Sequence, residues 1–397
     1  MHSSANSPAF RVRPAARAAL LATAVITLGL AAPALAGATP DELETRLRAL
    51  ESKVATLTEE NATLKQRLGA SAPAKSGPAA VVPMGKEAKL AIGGFLHLQG
   101  EWGDAPDARF PVGDRFLVRR ARLGVKGSFV EGFDFALTSD FGSNSLGTVS
   151  GYRAQITDAY VAWSRFPAAT VTVGQFKTPF GYEQLMSGTK HIVIERALVN
   201  DQLTLRRQIG AMLSGSVGGP RLTYAAGLFN GNGSNNSAND NDQFTYVGRV
   251  AGTWIQTDAG RVSTGINAFT GRDSGSFSGH RRGLGVDLQA SYRRLELQAE
   301  YLNTCFDRAI GRDYTAEGWS LLGSCVIIPK LLQGVLRYEV YDVDRDLAGD
   351  TTELWTVGFN YLIKGDDLKL SFNYLLGDLP GPRAEEGRLI SRLQVVF

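Results

Sequence analysis

Leu368-Lys369-Leu370-Ser371-Phe372-Asn373-Tyr374 alternates apolar and polar side chains without a break. Successive residues of a β-strand face opposite sides, so this stretch has one apolar face and one carrying charge and amides. The same period recurs at Leu295, Leu297, Ala299 and Tyr301, which are interleaved with Glu296, Gln298 and Glu300. It recurs again at Val286, Leu288, Ala290 and Tyr292 against Asp287, Gln289 and Ser291. A soluble sandwich would show the same alternation, so the ends of the faces and the connections must decide. Tyr292, Tyr301, Tyr361, Tyr374 and Trp163 lie toward the ends of apolar faces, as an interfacial aromatic girdle requires. Short turns such as Gly218-Gly219-Pro220 and Lys364-Gly365-Asp366 alternate with long polar connections such as residues 231–243. No segment beyond the N-terminal region has 18 uninterrupted apolar residues. A closed barrel is therefore the membrane-spanning structure open to this chain, because lipid satisfies no backbone group.

The pattern predicts an all-β transmembrane barrel of about 16 antiparallel strands over residues 88–397. A spanning strand needs about 9–11 residues, so 22 strands would leave almost no loops and eight would leave too much chain. An even count also returns both ends of the barrel to one side of the membrane. Leu393, Val395 and Phe397 alternate outward at the end of the chain.

The N-terminal part follows other rules. Arg11, Arg13 and Arg17 precede a short apolar run, and Ala34-Leu35-Ala36 supplies a small-x-small cleavage pattern, so residues 1–36 read as a signal peptide. The chain has 42 basic and 39 acidic residues, and export of that segment leaves 39 of each sign. No global basic field remains to attract nucleic acid. Residues 37–68 read as a short α-helical coiled coil in the periplasm. Leu43, Leu50, Leu57 and Leu64 recur every seven residues, and Leu47, Val54, Asn61 and Leu68 fill the intervening positions. A lone helix with such a stripe needs copies of itself, and Asn61 favours a parallel bundle of two or three strands in register. Residues 69–87, with Pro73, Pro78 and Pro83 among Ala, Ser and Gly, read as a linker.

Two stretches carry a family likeness. One is Phe116-Leu117-Val118-Arg119-Arg120-Ala121-Arg122-Leu123-Gly124-Val125-Lys126-Gly127. The other runs from Asp158-Ala159-Tyr160-Val161 through Val173-Gly174-Gln175-Phe176-Lys177-Thr178-Pro179-Phe180-Gly181, then Ile194-Glu195-Arg196 and Gly227-Leu228-Phe229-Asn230-Gly231. In order and spacing they resemble the phosphate-selective porins O and P of Gram-negative outer membranes. That resemblance implies a sixteen-stranded, usually trimeric barrel in outer-membrane lipid, with a third external loop folded inward. Residues 179–205, the longest connection, would be that loop. The terminal Phe397 likewise resembles the C-terminal signal of outer-membrane barrels.

A channel for small anions such as phosphate needs fixed cations along a narrow path, and arginine grips phosphate bidentately. Arg120, Arg122 and Lys126 share one face of the second strand, opposite Ala121, Leu123 and Val125. Lys177 precedes the long connection, Lys190, His191 and Arg196 lie within it, and Arg206 and Arg207 follow. Arg119 falls on the apolar face, which asks for a strand end, a subunit contact or a bulge. Asp134, Asp140, Asp158 and Glu195 are the acids able to neutralise this set and leave a general porin. The other alternative is a structural barrel whose coiled coil tethers the membrane to a cell-wall polymer. No metal-binding His spacing, phosphate-binding glycine loop or Ser/His/acid constellation suggests a cofactor or an enzyme. Cys305 and Cys325 fall near opposite ends of adjacent strands, too far apart to bridge.

Overall fold

The computed structural model describes residues 81–83, 89–110, 113–130, 132–143, 151–219, 221–274, 277–378 and 386–397. The expected signal peptide and coiled coil lie outside these residues. Within the expected linker, Val81–Pro83 forms a short strand, β1, paired with the start of the next one.

Sixteen antiparallel strands then close on themselves. They are β2 (Lys89–Gly103), β3 (Arg115–Val130), β4 (Phe133–Asp140), β5 (Gln155–Phe166), β6 (Ala169–Lys177) and β7 (Arg207–Val217). Next come β8 (Leu222–Phe229), β9 (Thr245–Gln256), β10 (Gly260–Ser274), β11 (Ser278–Tyr292) and β12 (Leu295–Arg308). The last five are β13 (Tyr314–Ile328), β14 (Leu332–Asp342), β15 (Thr351–Lys364), β16 (Leu368–Asp378) and β17 (Glu386–Val396). Each pairs with its sequence neighbours, and β17 closes the sheet on β2 from Arg388↔Gly103 to Val396↔Phe95. The final residue locks the seam, as Gly94 and Phe397 exchange both backbone hydrogen bonds at 2.9 and 3.0 Å.

Burial is inverted relative to a soluble protein. Val173, Val250, Ile266, Trp355 and Phe359 are exposed on the outer face, while His97, Glu101, Asn267, Arg337, Asn373 and Arg388 are buried inside. Such a belt needs lipid to cover it. Cys305 and Cys325 are free thiols, opposite Thr315 and Leu295 in the β12–β13 ladder.

The sheet has one irregularity that matters for the interior. His97 pairs with Arg120, but Leu98 pairs with Val118, so Arg119 is the extra residue of a bulge. Arg119 and Arg120 are both buried, while Leu98 on the partner strand is exposed. Of the three placements expected for Arg119, the bulge is the one seen: the inserted residue breaks the period of two and turns consecutive arginines inward.

Candidate functional site

The interior is organised by residues 178–206, which leave β6, enter the barrel and return to β7. Thr178 N–H donates to Arg206 O at 3.0 Å and closes the neck of this loop. Gly181 makes the inward turn with φ of +84°, where a Cβ would stand 2.6 Å from Thr204 Cγ2. Two short helices follow, α1 (Tyr182–Leu185) and α2 (Leu198–Leu203). On one side the loop buries Phe180, Val199, Leu203 and Leu205 against Phe229, Val247, Phe269 and Leu302, which project from the barrel wall. Burying a large apolar side chain contributes roughly 1.5–3 kcal/mol, so this patch holds one half of the loop.

The other half is held through its backbone. Glu300 on β12 accepts from Tyr182 N–H at 2.5 Å and from Asn200 Nδ2 at 2.9 Å. On β14, Glu339 accepts from Leu198 N–H, and Arg337 donates to Glu195 O at 2.8 Å. Asn360 on β15 donates to Ile192 O at 2.7 Å, and Asn373 on β16 accepts from Ile194 N–H at 2.7 Å. Lys369 donates to His191 O at 2.9 Å, Gln394 donates to Thr189 O at 3.0 Å, and Arg392 donates to Ile194 O. Apart from the Asn200 side-chain amide, each contact pairs a wall side chain with an orphan peptide group, which a loop buried in a lumen requires. The loop tip reaches the opposite mouth, where Lys190 pairs with Asp366 in the β15–β16 turn at 2.9 Å.

Glu195 is the keystone. Its carboxylate receives Arg119 Nε at 2.9 Å and Arg119 Nη2 at 3.1 Å from β3, and also Arg392 from β17. Burial alone would raise its pKa, but Arg119, Arg392 and Arg120 outweigh burial and hold it well below the usual carboxylate range. His191 is shifted the other way: burial, then Arg196, Arg120 and Lys177, keep its imidazole well below its ordinary pKa. It stays neutral near pH 7 and adds no cation.

The carboxylates of the interior are engaged. Asp140 binds Arg122 at 2.8 Å, Asp158 binds Arg207 at 3.0 Å, Asp287 binds Arg249 at 2.6 Å, and Asp134 accepts from Ser164 Oγ at 2.5 Å. Glu183 accepts from Ala197 N–H at 2.8 Å and lies 3.6 Å from Arg337. Among the described residues, Arg120 has neither ion pair nor hydrogen bond, although it is only 4% exposed and its Nε is fully buried. It is packed against the loop at Gly188, where a Cβ would lie 2.8 Å from its Nη1. Lys177 Nζ donates only to carbonyls, Met186 O at 2.6 Å and Leu185 O at 3.3 Å. Arg196 Nε has only Glu183 O at 3.3 Å. Arg122, Arg196 and Arg207 all act electrostatically on Lys177, so these basic side chains lie together between β3, β6, β7 and the loop.

Of the residues singled out from sequence, Arg120, Arg122, Lys177 and Arg196 converge there. Lys126 lies farther down β3, exposed, opposite Ala136 on β4. Lys190 sits at the far mouth with Asp366, and Arg206 is exposed at the loop neck, donating to Asp201 O at 2.7 Å. Arg392, Arg388, Arg337 and Lys369 were missed. Arg388 and Arg392 share the polar face of the last strand, the face opposite Leu389, Leu393 and Val395, so alternation there was the available signal.

A closed sixteen-stranded barrel, apolar outside and charged inside, with one long loop crossing its lumen, defines the porin class. The family model "Phosphate-selective porin O and P" matches residues 98–283 and 269–379, and the chain belongs to that family of outer-membrane porins. An uncharacterized protein of Aquifex aeolicus is 22% identical over 433 residues, covering 95% of this chain and 98% of that one. Among solved structures, the chain is similar to an anion-selective porin from Comamonas acidovorans, at 15% identity and a TM-score of 0.56. That match covers 78% of this chain and all of the other. It is also similar to the outer membrane channel DcaP of Acinetobacter baumannii, at 13% identity and a TM-score of 0.56, over 80% of this chain and all of that one. A third likeness is to OmpT of Vibrio cholerae, at 10% identity and a TM-score of 0.57, over 80% of this chain and all of that one.

Proposed function

We propose that this porin passes small solutes with a preference for anions, phosphate among them, and that it works as a homotrimer. The observation carrying the anion preference is the imbalance at the loop: its acids are engaged, whereas among the described residues Arg120 and Arg196 form no ion pair with a carboxylate. A partly dehydrated cation attracts a passing anion far more strongly than one in bulk water. The Comamonas porin bears the description anion-selective, in keeping with this reading. In a planar bilayer under a salt gradient, the purified oligomer is expected to reverse toward the anion potential, and added phosphate to reduce chloride current. A cation-leaning or unselective channel would reduce the protein to a general porin.

The trimer is supported by the wall itself. Strands β4, β6 and β8 have only 8, 9 and 8 residues, and Leu137, Val171, Val173 and Leu228 are exposed on them. A low wall with an apolar face suits a contact between copies, and one OmpT structure is described as a trimer form. The heptads of residues 41–68 would add a second association between copies. Their deletion is expected to lower the dissociation temperature of the oligomer on denaturing gels while leaving single-channel current intact. An unchanged dissociation temperature and unchanged binding to isolated cell wall would remove any associating or tethering role for the stalk.

A further inference from the structure

The short turns on the β9–β16 side form a continuous edge. Arg293 N–H donates to Ala259 O at 2.6 Å, Val326 N–H to Arg294 O at 2.9 Å, and Leu362 N–H to Leu331 O at 2.7 Å. The first bond joins the β9–β10 and β11–β12 turns, and the other two tie the β11–β12 turn to the end of β13 and the β13–β14 turn to the end of β15. Short turns are the periplasmic ends of an outer-membrane barrel.

Arg293, Arg294 and Lys330 are all exposed on this edge, and among the described residues none has an ion pair. Arg293 has only the neighbouring ring of Tyr292, 5.2 Å from its Cζ. The acids of the edge do not match them: Asp366 is engaged by Lys190 and Lys369, Asp367 lies 3.8 Å from Lys364, and Asp258 stands in the next turn. Backbone conformation makes the choice of residues more telling. Arg293 and Lys330 have φ of +54° and +62°. Glycine or asparagine enters this left-handed region easily, whereas a long L side chain there costs about 1–2 kcal/mol. Two hairpins place a cation at that position. Directly beside them the outward face ends in exposed Tyr292, Leu295, Ile327 and Ile328.

A row of free cations at the edge of an apolar belt matches the phosphate plane of a phospholipid leaflet. We propose that this rim is a binding surface for the headgroups of anionic glycerophospholipid, such as phosphatidylglycerol, in the periplasmic leaflet. Arg293, Arg294 and Lys330 contact the phosphates, and the adjoining tyrosine and aliphatic side chains meet the upper acyl chains. The surface is separate from the conduction path and does not depend on which solute passes.

The test is native mass spectrometry of the full-length oligomer in micelles doped equally with phosphatidylglycerol and phosphatidylcholine. Wild type is expected to retain phosphatidylglycerol preferentially. Arg293→Asn, Arg294→Gln and Lys330→Asn are each expected to reduce that preference by about fivefold, and Arg294→Lys to keep it. Arg293→Asn and Lys330→Asn should leave the unfolding temperature in phosphatidylcholine unchanged or raised, because asparagine adopts the left-handed turn with less strain. A structural role for these side chains would lower it instead. If Arg293→Asn or Lys330→Asn fails to fold, Arg294→Gln alone gives the answer. Equal retention of both lipids by wild type, or undiminished phosphatidylglycerol retention by Arg294→Gln, overturns the proposal.

Discussion

Arg120→Ala is expected to lower the anion-to-cation permeability ratio about tenfold while leaving the barrel as stable as before. The two effects separate because of how this guanidinium is placed. A buried cation whose side chain has no ion pair or hydrogen bond among the described residues contributes field to the lumen and nothing to the hydrogen-bond network there. A tenfold change in permeability is about 1.4 kcal/mol. One charge acting at about 5 Å through an effective dielectric constant of about 20 supplies that even after partial screening by salt. Removing an unpaired buried charge strands no carboxylate, so stability should hold or rise. Arg122→Ala makes the contrast: it frees Asp140 from its 2.8 Å partner and should weaken anion preference and stability together. Reversal potentials under a salt gradient and heat-modifiable mobility on gels measure the two quantities. An Arg120→Ala channel with wild-type selectivity would show that the cluster does not face the permeating ion.

The barrel was legible because its determinants are local. A period of two, an aromatic at the end of an apolar face and a turn residue at fixed intervals can all be read along one strand. The longest connection was legible from length, and that it folds inward was implied by the family resemblance. Its seat was not. Phe229, Phe269 and Leu302 face the lumen, where alternation predicts polar side chains, because the loop covers them. Charge pairing was the least legible part. Alternation tells which face Arg122 occupies, but its pairing with Asp140 depends on the register of β3 against β4. Arg119 shows the same limit more sharply. Alternation left a bulge as one of three placements for it, because a one-residue bulge is a property of two strands together, and its partner Glu195 lies 76 positions away. Arg388 and Arg392, by contrast, are readable, because they alternate with Leu389 and Leu393 on the polar face of the last strand.

Glu195→Ala is expected to cause the largest loss of loop order of any single change in the lumen. Two buried arginines from opposite sides of the seam, Arg119 on β3 and Arg392 on β17, converge on this carboxylate, which is 4% exposed. Breaking a buried pair by removing one partner costs about 3–5 kcal/mol, and here both arginines lose an acid. The backbone contacts of Arg337 with Glu195 O and Arg392 with Ile194 O remain, so the loop should loosen at its middle rather than leave the lumen. Limited proteolysis should cut within residues 186–197 faster than in wild type, and single-channel traces should become noisier. The open channel should become more anion-selective, because two further cations are released. Glu195→Gln retains two hydrogen-bond acceptor sites and should fall between. Acid titration gives an independent check with a fixed sign. Since the folded pKa of Glu195 is depressed, its stabilisation is complete above the ordinary carboxylate pKa of about 4.3 and is lost only as pH falls through the lower folded value. Wild-type traces should therefore stay quiet from neutral pH to about 4.3 and become noisy only below it. Noise that sets in between pH 6 and 7 would point to a histidine instead, and would remove Glu195 from its place as the anchor of the loop.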